Sequence, residues 1–232
     1  MTSENPTTRD PRSRQKRVGE ALREDTRNRI LVAAAREFEA KGYSATTVAS
    51  LAKNAGVSVQ TLYLAWGSKR ALLRGYLENA LAGDSGSPEQ AASRFSAELA
   101  STARLALLAS LVTDVARRAA IGWSIYRDAA GGDPEIAEDW SDLQAKRHQL
   151  FAQIIGRIPE DDFAPEIRVQ EAIDTAWAIA SPETYSLIVN RLGYDLDRYR
   201  DWLTQTLVRA LLGDFASARR RTKDERSEYR PE

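Results

Sequence analysis

The sequence predicts an all-α protein, an N-terminal three-helix helix-turn-helix domain joined to a larger helical bundle. Apolar residues recur at helical spacing along most of the 232 residues, and no segment alternates like a half-buried strand. Gly, Pro and capping Ser or Thr punctuate these segments where helices should stop and start.

With 43% hydrophobic and 28% charged residues, the chain has enough apolar material for a real core. The complete lack of cysteine excludes disulfides, thiolate metal sites and cysteine nucleophiles. Neither the polar start, MTSENPTTRDPRSRQKR, nor the longest apolar run, 105–112, has the character of a signal peptide or a membrane span, so a cytoplasmic protein without membrane contact is expected. A formal charge of zero hides an asymmetry. Residues 1–70 hold 13 Lys+Arg against 7 Asp+Glu, and the remainder holds 20 against 26. A polyanion-binding head on an acidic body has this distribution, as does a chance excess of surface charge.

Residues 1–24 carry Arg9, Arg12, Arg14, Lys16, Arg17 and Arg23 among Pro, Ser and Thr without periodicity, and read as a flexible basic arm. Over 26–41, Ile30, Ala33, Ala34 and Phe38 line one helical face, and Gly42 supplies a left-handed stop. Thr46 or Thr47 can cap a second helix, with Val48, Leu51, Ala52 and Ala55 on one face, until Gly56 breaks it. Ser58 caps a third helix ending at Trp66 and Gly67, and Ser68 a fourth to about residue 82. After the break GDSGSP at 83–88, further helices are expected at about 89–111, 112–130, 134–156, 165–180, 182–192 and 195–213. The last stretch, 214–232, is too polar to pack and reads as a flexible tail.

The most informative stretch is 47–66, TVASLAKNAGVSVQTLYLAW, where two short amphipathic helices flank the turn Ala55-Gly56-Val57. A helix-turn-helix needs a small residue where its helices cross, here Ala52, and a turn residue that accepts positive φ, here Gly56. With Val57, Leu62 and Trp66 inward, the third helix turns Ser58, Val59, Gln60, Thr61 and Tyr63 outward. Gln can pair twice with adenine, Thr can bond or offer a methyl, and Tyr can reach phosphate or stack, so this stripe suits the major groove of duplex DNA.

At these residues the sequence resembles the DNA-binding region of the tetracycline-repressor (TetR) family. Over 26–82 the pattern is matched at Ile30, Ala34, Phe38, Gly42, Thr47, Ala52, Gly56, Val57, Ser58, Thr61, Tyr63, Lys69 and Leu72. The resemblance implies base or sugar contacts at Val59, Gln60, Thr61 and Tyr63 and phosphate contacts at Thr47 and Lys69, with Ser58 in the same reading row. Leu64-Ala65 departs from the pattern, which often has an aromatic and a histidine there, and Trp66 replaces the commoner Phe. The division implied is a basic arm at 1–24, a helix-turn-helix DNA-binding domain at 25–70, an effector-binding and dimerisation domain at 71–213 and a tail at 214–232.

In the larger part, Trp123, Tyr126, Trp140, Phe151, Trp177 and Tyr185 either line an effector pocket, with His148 beside them, or simply pack the core. His148 is the only histidine, which rules out a multi-histidine metal site, and no metal or cofactor is expected. Leu196, Tyr199, Leu203, Leu207 and Leu211 form a stripe that packs either internally or against a second copy, and the resemblance favours a homodimer. The function implied is a sequence-specific transcriptional regulator, a repressor that a small-molecule effector of unknown identity releases from double-stranded operator DNA. An enzyme is the weaker reading, because the sequence holds no phosphate-cradling loop, no HExxH and no GxSxG. An architectural DNA-coating protein is weaker too, since the long acidic body has no part in coating.

Overall fold

The computed structural model describes residues 11–82 and 88–212, apart from 94 and 97. The expected tail, the first ten residues of the expected arm and most of the break at 83–88 lie outside these. Helices make up most of the described residues, and the chain divides into two compact units, 1–78 and 79–232.

In the first unit α1 (Pro11–Ala45) carries Ile30, Ala34 and Phe38 into a core shared with Leu51 and Ala52 of α2 (Val48–Ala55) and Leu62 of α3 (Val59–Trp66). α4 (Lys69–Ala82) adds Leu72, Leu73 and Leu77 to the buried set. The helical path of α1 is broken at Gly42, whose φ of 74° and ψ of 173° suit glycine, as its sequence suggests. Thr47, not Thr46, caps α2: its side chain accepts from Ser50 N, while Thr46 is buried and donates to Gly42 O at 2.8 Å.

The arm is helical from Pro11 onward rather than free of secondary structure. A helix already nucleated by the buried stretch around Ile30 extends at little cost through helix formers such as Ala21, Leu22 and Arg23, without packing of its own. Val18 and Leu22 accordingly stay exposed.

In the second unit α5 (Pro88–Ala92) is followed after a loop by the long α6 (Ser101–Ala130), then α7 (Pro134–Ile155), a 3-10 turn at Glu160–Asp162, and α8 (Val169–Ile179). α9 (Pro182–Tyr185) runs into a π-helical turn, Ser186–Arg191, and α10 (Leu196–Leu212) closes the unit. α6 packs on α7 and α10, and α8 on α7 and α10. Leu105, Phe151, Ile154, Ala176, Leu203 and Leu207 are central to the common core.

The expected helices at 89–111 and 112–130 are divided differently. Nothing between 101 and 130 stops a helix, so α6 runs through residue 111 unbroken. The interruption falls earlier, where two arginines hold the chain by its carbonyls: Arg104 Nη2 donates to Ser96 O at 2.9 Å and Arg157 Nη1 to Phe95 O at 2.8 Å, with Phe95 buried in the core. Burial of one aromatic and two charged grips prevail over local helix propensity there. α8 likewise starts later than expected, at Val169, where Glu171 reaches back to accept from Arg168 N at 3.0 Å.

Candidate nucleic-acid interface and ligand cavity

The turn between α2 and α3 is built by backbone geometry and then gripped by α1. Gly56 takes φ 65° and ψ 37°, and its N–H donates to Lys53 O while Val57 N donates to Ala52 O. Ser58 caps α3 by accepting from Thr61 N at 3.0 Å. Arg29 of α1 lays its guanidinium on this turn, Nη2 donating to Ala55 O at 2.7 Å and Gly56 O at 3.2 Å. At the far end of α3, Arg27 donates to Ala65 O and stands 4.2 Å over the Trp66 ring, whose Nε1 donates back to Arg27 O. The wide indole is accommodated by Gly75 of α4, where any Cβ would lie 2.3 Å from Trp66 Cζ3.

Glu37 joins α1 to α2. Its carboxylate accepts from Lys41, from Ser50 Oγ at 3.1 Å and from Asn54 Nδ2 at 2.6 Å. These donors, the Lys41 bond foremost, hold its pKa below the ordinary glutamate value against the opposing effect of burial.

Held in this way, α3 turns Ser58, Val59, Gln60, Tyr63 and Leu64 to solvent, with Thr61 half-buried and Leu62 buried. Leu64, which departs from the family pattern in the sequence, is 82% exposed, an apolar side chain beside this row. Thr47 is exposed at the start of α2. Ser58 and Thr61 hydroxyls lie 2.8 Å apart, so part of their bonding capacity is spent on each other. Lys69 is more enclosed than a simple phosphate-binding lysine. Its Nζ donates to Tyr43 O and Thr46 O, both at 2.9 Å, and lies 4.0 Å from the Tyr43 ring centre. It therefore ties the start of α4 to the turn between α1 and α2.

In the second unit a cavity of about 110 Å³ lies among α6, α7 and the ends of α8 and α9. Two of the expected pocket aromatics line it, Trp123 and Phe151, with Leu108, Val112, Leu143 and Leu150. The others lie elsewhere. Tyr126 is fully buried, donates to Asp139 Oδ2 at 3.0 Å and stacks on Trp140, which meets Trp123 edge-on at 5.1 Å. His148 Nε2 lies 2.8 Å from Asp174 Oδ1, and its ring meets Trp177 edge-on at 5.9 Å. This bond is the main cause that holds the Asp174 carboxyl below its usual range. Tyr185 packs edge-on against Tyr199.

Arg147 was absent from the sequence reading and yet lines the cavity. A signal existed, because Leu143, Arg147, Leu150 and Phe151 share one face of α7 at helical spacing.

The stripe on α10 packs inward. Tyr199, Leu203, Leu207 and Leu211 have no exposed surface even in the single chain, which leaves their side chains nothing to offer a second copy. Leu196 alone is partly exposed. An amphipathic helix must satisfy its own unit first, and α6 and α8 already cover this face.

Comparison with known proteins agrees with this arrangement. Residues 30–76 match the sequence model of bacterial regulatory proteins of the tetR family. No curated protein sequence matches the chain. Among solved structures, native NalD of Pseudomonas aeruginosa, the secondary repressor of the MexAB-OprM multidrug efflux pump, is 21% identical with a TM-score of 0.65, over 83% of this chain and all of that one. FadR of Bacillus subtilis in complex with stearoyl-CoA is 20% identical with a TM-score of 0.61, over 78% of this chain and 97% of that one. A regulator from a Rhodococcus species, assigned to the same family, is 18% identical with a TM-score of 0.58, over 79% and 97%.

Proposed function

We propose that the chain, whose residues 30–76 match the tetR family of bacterial regulatory proteins, is a DNA-binding regulator of transcription, a homodimeric, cytoplasmic repressor released from its operator by a small molecule. The observation that carries the reading is the outward row Val59, Gln60 and Tyr63 on a helix whose turn and both ends are fixed from α1 and by its own caps. Rigid presentation of groove-compatible side chains is what direct readout needs.

In this reading Gln60 and Tyr63 meet base edges, Val59 and Thr61 supply apolar contact, and Thr47 and Ser58 lie at helix starts where backbone N–H groups favour phosphate. Two copies place their α3 helices about one turn of DNA apart, ~34–36 Å, or a multiple of it. The second copy meets whatever α8 and α10 leave outside the core, including Leu196 and the half-buried Trp202. The cavity beside Trp123 and Phe151 takes the effector, and the capture of the FadR neighbour in complex with stearoyl-CoA supports a ligand-binding role. Release requires the ligand to prefer one arrangement of the reading heads by ~1–3 kcal/mol.

The test is to recover an operator by selection and titrate variants against operator and scrambled duplexes at several salt concentrations. Gln60→Ala loses ~1–3 kcal/mol on the operator and little on scrambled DNA. Lys69→Ala lowers the unfolding free energy by ~1–3 kcal/mol, because its ammonium bonds two carbonyls of the same unit. Wild-type affinity and specificity in Gln60→Ala would remove α3 from the major groove.

A further inference from the structure

We infer that the cavity in the second unit receives a small monocarboxylate, its apolar body no larger than about one ring or a short branched chain, with the carboxylate on Arg147. The inference rests on reading this cavity as the effector site.

The walls leave a cation facing an apolar space. Leu108, Val112, Trp123, Leu150 and Phe151 line the cavity, and among the described residues the charged lining is Lys146 and Arg147, without a carboxylate. Arg147 is held firmly. Its Nη2 donates to Trp177 O at 2.6 Å and Ala180 O at 2.9 Å, the end of α8, and its guanidinium carbon lies 4.9 Å from the Phe151 ring centre and 5.1 Å from that of Trp177. Both hydrogen bonds leave from one nitrogen. A guanidinium has five N–H donors in a planar fork, and among the described residues no acceptor meets Nε or Nη1 of Arg147.

The closest acid in electrostatic terms, Glu183, has its Oε1 3.4 Å from Arg127 Nη1 instead. Burial pushes the Arg147 pKa down to about 10, which still leaves it charged at neutral pH. Arg147 is half-buried, and with two carbonyl acceptors and only a through-space carboxylate, Glu183, its fork keeps capacity for an anion. A carboxylate offers two oxygens to the vacant edge of the fork, and such charge-assisted, bidentate pairs strengthen where water is excluded.

Size narrows the class further. A dry, apolar cavity of about 150 Å³ holds benzene, and this one is about 110 Å³. At that smaller size a short branched chain fits against Val112 and Phe151, one ring is the upper limit, and a polycyclic body does not fit.

Calorimetric titration of the full chain with benzoate and hexanoate, against their neutral isosteres benzamide and hexanamide, tests the inference without any mutation. The carboxylates should bind at least tenfold more tightly than the amides. Arg147→Met should abolish that preference, and Val112→Phe, which fills the apolar space and leaves Arg147 in place, should abolish binding of both. Equal binding of acid and amide by the wild type overturns the inference, as does a preference that survives Arg147→Met or an absence of binding by all four compounds. Should Arg147→Met fail to fold, the wild-type comparison and Val112→Phe decide. Operator release by any neutral compound, with no response to the acids, would overturn the monocarboxylate and leave the sensor reading standing. Release by no compound of a broad neutral and charged set would remove the sensor reading itself.

Discussion

In the first unit the long polar side chains end on partners that fix one helix relative to another: Arg29 on the carbonyls of the α2–α3 turn, Lys69 on those of the α1–α2 turn, and Glu37 on donors from both α1 and α2. In the second unit Arg104, Arg157 and Arg147 grip carbonyls in the same way. Yet Trp177 Nε1, Tyr199 Oη and Gln144 Oε1 there are buried with no partner among the described residues, and a cavity remains. Buried polar atoms are nearly always satisfied, and exceptions tend to accompany a strained or ligand-binding region. The difference teaches how one helical chain can divide its work. On the function proposed above, a reader of DNA gains from a scaffold that holds α3 in one pose, whereas a sensor needs a region whose polar groups and empty volume a ligand can still complete.

The largest effect is expected in the second unit. Leu207→Ala should lower the unfolding free energy by ~2–5 kcal/mol in a urea titration, since the side chain is fully buried in the unit's own core. Unchanged unfolding with loss of self-association alone would return the α10 stripe to the subunit interface and blur the contrast.

A smaller effect tests the fit inside the first unit. Gly75→Ala should cost ~1–3 kcal/mol, because its Cβ would meet Trp66 at 2.3 Å. The same change in a Trp66→Phe background should cost much less or stabilise slightly, as alanine is favoured over glycine within a helix by about 1 kcal/mol. A double-mutant cycle over the two positions reads the coupling directly, and an additive outcome would mean the indole is not what reserves the space.

The smallest effect concerns Glu37 and pH. Because its folded pKa lies below the ordinary glutamate value, its contribution is fully present above that value and is lost as pH falls through the depressed one. The thermal midpoint of Glu37→Gln should therefore lie below wild type at pH 7, and the two should converge in acid. A gap that stays constant from neutral to acid pH would show that the carboxylate's charge does not matter.

Short helices with strong punctuation were the easiest parts to read from sequence. Gly42, Gly56, Ser58 and Ser68 act within a few residues of themselves, and each does locally what its side chain, or lack of one, predicts. Long-range grips gave no comparable signal. Arg27 and Arg29 carry no local mark of a special role, and their acceptors lie far along the chain, at Ala65 and at Ala55 and Gly56. The aromatics of the second unit were ambiguous for the same reason. Trp123 and Phe151 reach the cavity while Tyr126 and Trp140 stack beside it, a distinction that depends on how α6 and α7 turn toward each other.

By itself the sequence determined the helical class, the helix-turn-helix at 47–66 and the outward row from Val59 to Tyr63, because periodicity and capping are local and each helix declares its own apolar face. Only the tertiary structure decided that the loop before α6 is held by Arg104 and Arg157, that the α10 stripe is core, and that Arg147 lines a cavity. An apolar stripe states that it will be covered, not by what, and a charge states that it needs a partner, not which one. Those answers come from helices distant in sequence meeting in space.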